Sequence, residues 1–361
     1  MRIILVTQSF PPRIGGIESV MEALAKRLSE YFEVIVFSDR NIENFDKGKK
    51  FPIKIHSLNA PKIIRPFIKK FLIKKYTKKE DILICDSWKS IKAIPKLTYK
   101  TIIVLAHGQE YFNKKNKNKI INVYLKRSNV LIANSKFTLN LVLELNKFKK
   151  IDKHVIPPTL ALTDKLTEIG KNKPKKDKII LLSLSRIEER KGLMQTMIAI
   201  SSLQKKNKLG NLFWHIAGDG PQLKELKIKA EKLGILSRIN FHGNISELEK
   251  KKLFKISNLF IMPSFIAGNS VEGFGIVYIE AAIYGIPSIS GIEGGVKEAV
   301  IDKKTGWNIN PLNEKNFENI LFSIISNPKE IIKRGKAARN LYLKKFTSRI
   351  ILKKIITIIL N

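Results

Sequence analysis

Short apolar runs alternate along this chain with longer segments of helical spacing. The first run, Arg2–Thr7, leads into a glycine-bearing loop, a helical segment over Ser19–Tyr31 and a second run at Glu33–Ser38. Further runs fall at Ile82–Cys85, Thr101–Ala106 and Val130–Asn134. A helix over Ser135–Leu145 then closes this half, with Ser135 placed to cap it. Strands that alternate with helices predict βαβ units and a doubly wound sheet. The pattern restarts at Ile179–Leu184, with a helix over Leu193–Leu203. Runs follow at Leu212–Ala217, Arg238–His242, Asn258–Ser264 and Ser288–Ser290. The chain therefore reads as α/β, with two Rossmann-like domains at 1–160 and 178–345. Residues His154–Lys178 are poor in periodicity and rich in Lys, Pro, Thr and Asn, and 161–177 within them read as the linker. A basic apolar helix over Arg349–Leu360 ends the chain.

Length agrees with this division, because 361 residues exceed one typical domain of about 100–200. The single cysteine, Cys85, excludes an internal disulfide framework and fits a reducing compartment. It lies in an apolar run and reads as a buried thiol. No apolar run reaches the roughly 18 residues of a membrane span, and the N-terminus reads as a strand and not as a signal peptide. The expected location is cytoplasmic, with the inner membrane face as a possible peripheral site.

Charge adds a preference for anionic partners. The chain carries 67 basic and 31 acidic residues, a net +36. Residues 51–150 hold 23 basic and 5 acidic residues, a net +18. Over Lys62–Lys79 apolar residues fall at helical spacing among eight basic residues and no acidic one. Lys69, Lys70, Lys74 and Lys75 would then face an anionic membrane surface. A surface helix with a solvated cationic face accounts for the same pattern. No nucleic-acid module is present, and the charge is not interleaved with aromatic platforms, so no specific nucleic-acid partner is expected.

The densest chemistry lies at Glu272-Gly-Phe-Gly-Ile-Val-Tyr-Ile-Glu280. It follows an apolar strand and runs into a helix ended by Gly285 and Pro287. Glu272 is thus placed in a loop, and the helix starts near Gly275. Gly273 and Gly275 allow close backbone approach to a ligand. The first-turn N–H groups, from Phe274 and Gly275 through Ile276 and Val277, form an anion site. Glu280 lies one turn below Ile276. Two carboxylates flanking an anion site suit a hexose, a diphosphate and a ribose in series. Arg186 and Lys191, at a strand exit and helix entry, can clamp the diphosphate and stabilise the charge that grows as it leaves. Gly15 and Gly16 precede a helix and form a second loop suited to phosphate or acceptor. His107 stands at a strand's carboxyl end, where open α/β sheets bind ligands, although a capping histidine also fits. No D-x-D and no His/Cys cluster with ligand spacing occurs, so no metal is expected.

The form E-G-F-G-I-V-x-x-E at 272–280 resembles the signature of retaining glycosyltransferase family 4, which has the GT-B fold. The resemblance covers nearly the whole chain and implies an active site in the cleft between two domains, with the C-terminal helix, 346–361, packing back on the first domain. It implies that Glu272 contacts the donor hexose and Glu280 the ribose. It gives the R-x4-K-G pattern at Arg186–Gly192 a diphosphate role and the Gly15-Gly16 loop a place facing donor phosphates and acceptor. His107 is placed near the transferred sugar. The G-x-G-P at Gly218-Asp219-Gly-Pro matches a family motif, and Ile245 sits where the family holds the nucleobase through backbone groups. Two stretches depart from the pattern: Thr159-Leu-Ala-Leu after the proline pair, and Gly291-Ile-Glu293 before Gly294-Gly295.

The expected activity is transfer of a hexose from a nucleoside diphosphate sugar to a hydroxyl of a glycan or lipid-linked acceptor. Retention is expected, with no cofactor and no protein nucleophile. Ser9–Ile17, His107-Gly-x-Glu110 and Val271–Glu280 look like the phosphatidylinositol-mannoside mannosyltransferases of the family, which implies GDP-mannose. A nucleotide-sugar 2-epimerase of the same fold is the alternative, distinguished by release of free sugar and nucleotide. A protein that binds anionic polymers is a further one.

Overall fold

The computed structural model describes residues 1–13, 15–39, 53–58, 60–145, 150–160 and 178–361. The predicted linker at 161–177 lies outside the described residues. Contacts divide the chain into two compact units. One comprises Met1–Asp164 with Phe346–Asn361, and the other Lys165–Lys345.

The first unit holds a seven-stranded parallel sheet. Its strands are β1 (Arg2–Thr7), β2 (Glu33–Ser38), β3 (Ile53–Ser57), β4 (Ile82–Cys85), β5 (Thr101–Ala106), β6 (Val130–Ala133) and β7 (Asp152–Val155). The spatial order is β3-β2-β1-β4-β5-β6-β7. β1 pairs with β4 in the register Ile3↔Ile82 and Leu5↔Ile84. These strands are apolar at successive positions because both faces are covered. Alternate residues feed two cores. Ile4, Val6, Leu83 and Val104 enter one. Ile3, Leu5, Ile84 and Ile103 enter the other, where the helix Ser348–Leu360 adds Ile351, Leu352, Ile355 and Ile359. Each such side chain contributes about 1.5–3 kcal/mol by leaving water.

The second unit repeats the plan with six parallel strands. They are β8 (Ile179–Leu184), β9 (Leu212–Ala217), β10 (Ile239–Gly243), β11 (Leu259–Met262), β12 (Ser288–Ser290) and β13 (Gly306–Asn308), in the order β10-β9-β8-β11-β12-β13. In each sheet the winding reverses once, between β1 and β4 and between β8 and β11. Ligands of open α/β sheets bind outside the carboxyl ends of the strands at such reversals.

Several elements differ from the sequence expectation. β3, β7 and β13 are short, and neither apolar runs nor turn residues announce them. The stretch from His154, read as irregular, begins inside β7. The first helix spans Gly16–Leu28, three residues earlier than its apolar spacing suggests. Ser135 caps the helix Lys136–Leu145 by accepting from the Thr138 N–H at 3.0 Å.

The basic helix covers Arg65–Tyr76 and corrects one assignment. Lys69 is not on a cationic surface. It is 2% exposed, its ammonium donates to the Thr7 carbonyl at 2.7 Å, and it pairs with Asp39. A buried ammonium is tolerated because an acceptor and a carboxylate replace its water. Lys70, Lys74 and Lys75 are exposed. So is part of the apolar stripe, with Phe67 at 72% and Phe71 at 66%.

Candidate active site

In the second unit the loops after β8, β9, β10 and β11 are stitched together main chain to main chain. The Ile187 N–H donates to the Asp219 carbonyl at 2.9 Å, and the Gly218 N–H to the Gly243 carbonyl at 2.7 Å. Gly218 has φ 127°, and a Cβ there would lie 1.9 Å from the Ser185 carbonyl oxygen. Only glycine permits that approach. Asp219 stays exposed, and its Oδ1 accepts from the Gly220 N–H at 2.7 Å. Ile245 is half-buried, one residue before the cap of the helix Glu247–Ile256.

At the β8/β11 reversal the structure gathers Lys191 and Glu272 and adds Arg190. Lys191 Nζ lies 2.5 Å from Glu272 Oε2, and Arg190 Nη1 lies 2.8 Å from the same oxygen. Arg190 Nε reaches Glu188 Oε2 at 3.2 Å, and Glu188 Oε1 meets Arg186 Nη1 at 3.0 Å. Arg186 is therefore tied to the cluster through Glu188, with its side chain 68% exposed. Lys191 is its buried opposite, at 9%. Burial alone would raise the Glu272 carboxyl, but the Lys191 ammonium and the Arg190 guanidinium hold it down at about 2. It is a permanent anion at neutral pH.

Glu272 sits in a loop whose main chain is fixed by the Gly295 N–H, which donates to its carbonyl at 2.9 Å. Gly273 and Phe274 follow, the latter buried. Gly275 then adopts φ 85° and caps the helix Ile276–Ile283. The amides of Gly275, Ile276 and Val277 open this helix, where no intrahelical acceptor exists. Glu280 is buried one turn further on. Its Oε1 lies 2.9 Å from Lys250 Nζ, which also meets Glu247 Oε1 at 2.8 Å. Burial would lower the Lys250 ammonium, but the two carboxylates raise it, Glu280 foremost. The stretch 272–280 thus presents an anchored carboxylate, a row of N–H donors and a second carboxylate held by a cation.

The first unit has its own polar focus at the β1/β4 reversal. Asp86, buried just past β4, accepts from Thr7 Oγ1 and the Gln8 N–H, both at 2.8 Å, and from the Ser9 N–H at 3.1 Å. It sets the start of the loop that ends at Gly15 and Gly16, where Gly15 precedes the first helix. Glu18 is buried beside that turn and meets Arg13 Nε at 3.0 Å. His107 leaves β5 with its N–H donating to Glu110 Oε1 at 2.7 Å. Its Nε2 is buried without a hydrogen-bond partner among the described residues, and so is the Thr159 hydroxyl. Both residues line one small cavity of about 30 Å³ with Asn134, Pro157 and Ile355. That volume admits a water or a hydroxyl between two otherwise unsatisfied groups. Thr159 belongs to the stretch that departs from the family pattern.

Sequence reading missed Arg190, Lys250, Asp86 and Thr159. Arg190 was visible only as one more cation in a basic loop. Lys250 carried no signal, because its partner is 30 residues away. Among the described residues no group of three or more His, Cys, Asp and Glu side chains could hold a metal ion. No described helix is long and apolar enough to cross a membrane.

Comparison with known proteins meets this geometry at three levels. A chain from Mycolicibacterium smegmatis named GDP-mannose-dependent alpha-(1-6)-phosphatidylinositol monomannoside mannosyltransferase is 30% identical over 166 residues. That match covers 45% of this chain and 43% of the relative, so it spans less than half the relative's length. Two solved structures share the fold. Anabaena HepE in complex with UDP and glucose has a TM-score of 0.77 at 16% identity, over 99% of both chains. Sucrose-phosphate synthase from Thermosynechococcus elongatus has 0.78 at 18%, over 99% of this chain and 98% of that one. The family models "Glycosyltransferase Family 4" and "Glycosyl transferases group 1" match residues 14–163 and 164–341. Nearly the whole chain is thereby accounted for, and it belongs to the glycosyltransferases of family 4, of the GT-B fold.

Proposed function

We propose that this protein transfers a hexose, with mannose favoured, from a nucleoside diphosphate sugar to a hydroxyl of a glycan or lipid-linked acceptor, with retention. The observation that carries this is the pairing of Lys191 with Glu272 directly before the amides of Gly275, Ile276 and Val277. Those amides, with Arg186 and Lys191, bind the diphosphate and stabilise the charge it gains on leaving. Glu272 Oε2 is held by cations, which leaves Oε1 to accept from a hexose hydroxyl. Glu280 takes the ribose hydroxyls, while Gly218, Asp219 and Ile245 border the donor. Gly273 and Phe274 carry the chain between carboxylate and helix. Gly15, Gly16 and His107 serve the acceptor side.

In the step, the bond from the anomeric carbon to the leaving phosphate oxygen breaks. The acceptor oxygen bonds to that carbon on the same face, and its proton passes to the departing diphosphate. No metal is required in this reading, since cationic side chains and helix amides meet the leaving charge. GDP-mannose is favoured because the relative from M. smegmatis is named for it. An acceptor at an anionic membrane surface is favoured by the exposed Phe67 and Phe71, which stand among Lys70, Lys74 and Lys75.

The test supplies UDP-, GDP- and ADP-sugars with and without lipid and glycan acceptors in excess EDTA, and identifies the products. Transfer with retained configuration is expected, reduced about 10²-fold or more in Lys191→Ala. Free sugar and nucleotide released without any acceptor would instead identify a 2-epimerase. Activity lost in EDTA and restored by Mg²⁺ would remove the metal-free mechanism.

A further inference from the structure

We infer that Arg190 is a positioning residue for the reaction: it keeps Glu272 in place while Lys191 turns from that carboxylate to the donor diphosphate. The inference rests on the proposed function of the same site.

Two cations converge on one oxygen, Glu272 Oε2, with Arg190 at 2.8 Å and Lys191 at 2.5 Å. They are not equivalent. The lysine ends in a single ammonium on a flexible stem with three donors to redirect. A diphosphate concentrates more negative charge than one carboxylate, so it draws this ammonium away. The arginine is restrained at both ends. Its carbonyl accepts from the Phe265 N–H at 2.9 Å, and its Nε donates to Glu188 Oε2 at 3.2 Å while Nη1 donates to Glu272. A planar guanidinium bridging two carboxylates cannot follow the donor without breaking both contacts.

Without Arg190, Glu272 would be a largely buried carboxylate with no cation opposite it once Lys191 has moved. Such a group either swings after the departing cation or takes up a proton. Either outcome withdraws Oε1 from the hexose. Arg190 prevents both. The charged groups around it are Glu188, Glu272, Lys191 and, through Glu188, Arg186. Tyr278 is buried, and its hydroxyl donates to the Met262 carbonyl at 2.6 Å.

The experiment compares wild type, Arg190→Gln and Arg190→Lys, with thermal melting as the check on folding. Calorimetry measures GDP binding, and initial rates with GDP-mannose give kcat, KM and the pH profile of kcat. For Arg190→Gln, GDP affinity should change less than about threefold while kcat falls about tenfold or more. The acid limb of kcat, which reports the donor-bound enzyme, should move up by about one pH unit or more, because Lys191 has then turned to the diphosphate and the cation left to hold Glu272 ionised is gone. Arg190→Lys should fall midway in both kcat and limb. An Arg190→Gln variant that loses GDP affinity as steeply as kcat would overturn the inference, since Arg190 would then touch the diphosphate itself. So would wild-type kcat and limb in Arg190→Gln or, where that variant does not fold, in Arg190→Lys. A wild type that turns over no nucleotide sugar at all rejects the proposed function instead, whatever the variants do.

Discussion

Removing the charge of Lys70, Lys74 and Lys75 together gives the strongest test of membrane attachment. All three are exposed on the helix Arg65–Tyr76, beside Phe67 and Phe71. A lysine close to an anionic leaflet contributes on the order of 1 kcal/mol. Three of them contribute about 3 kcal/mol, which at about 1.4 kcal/mol per decade is roughly a hundredfold in partitioning. The triple glutamine variant should therefore remain in the supernatant when wild type pellets with anionic vesicles. Neutral vesicles should pellet neither. The measurement belongs at about 0.15 M salt, where charges are screened beyond about 8 Å. Lys69 serves as the contrasting substitution. Lys69→Met leaves Asp39 and the Thr7 carbonyl without their cation. Breaking a buried pair costs about 3–5 kcal/mol, reduced to about 2–3 here because Asp39 is partly exposed. At about 2–4 °C per kcal/mol for a unit of this size, melting should fall by about 4–12 °C while vesicle binding is retained. Wild type that ignores anionic vesicles, or a triple variant that pellets as wild type does, would refute the membrane assignment.

Three further outcomes follow from the second unit. Glu280→Gln should weaken binding of a free nucleoside diphosphate, whereas Glu272→Gln should spare that binding and impair transfer; calorimetry beside rate assays separates them, and equal losses in both would contradict the division of roles. Gly218→Ala should displace the loop from Ser185 and abolish donor binding, since its Cβ would fall 1.9 Å from a carbonyl oxygen; unchanged calorimetry would show that the loop yields. Glu272 should add an acid-sensitive part to stability. Its folded pKa of about 2 lies below its ordinary 4.5, so its contribution is complete above about pH 5 and fades as pH falls toward 2. Glu272→Gln should flatten that part of the stability–pH curve, and an unaltered curve would discount the ion-paired geometry.

The central strands were legible because burial on both faces leaves a continuous apolar run, as in β1, β4 and β5. β3, β7 and β13 sit at or toward the sheet margins and lack that run. The carboxylates at 272 and 280 were legible because glycines and a helix start fix their spacing locally. Arg190 was not, because its meaning depends on Glu272, 82 residues later. Lys69 was misread for the same reason. Helical spacing distinguishes an inward face from an outward one only when the inward residues are apolar. Here the inward face carries Lys69 with Ile73, and the residue that makes a lysine acceptable there is Thr7, 62 positions earlier.

The stitched loops of the second unit have a consequence for how such an enzyme can change its donor. Ser185, Ile187, Arg190 and Gly218 are joined to neighbouring loops through backbone N–H and C=O groups, which every residue but proline supplies in full. The frame is thus indifferent to most side chains it carries. The side chains of Asp219 and Ile245 project from it, Asp219 Oδ1 accepting from the adjoining Gly220 N–H. If these loops border the donor as proposed, a lineage could exchange those side chains, and with them the preferred base or sugar, while the backbone frame kept its shape. On the proposed function, chemistry and selectivity would then be separately heritable: the first in the backbone frame with Arg186, Lys191 and Glu272, the second in a few replaceable side chains at the strand ends.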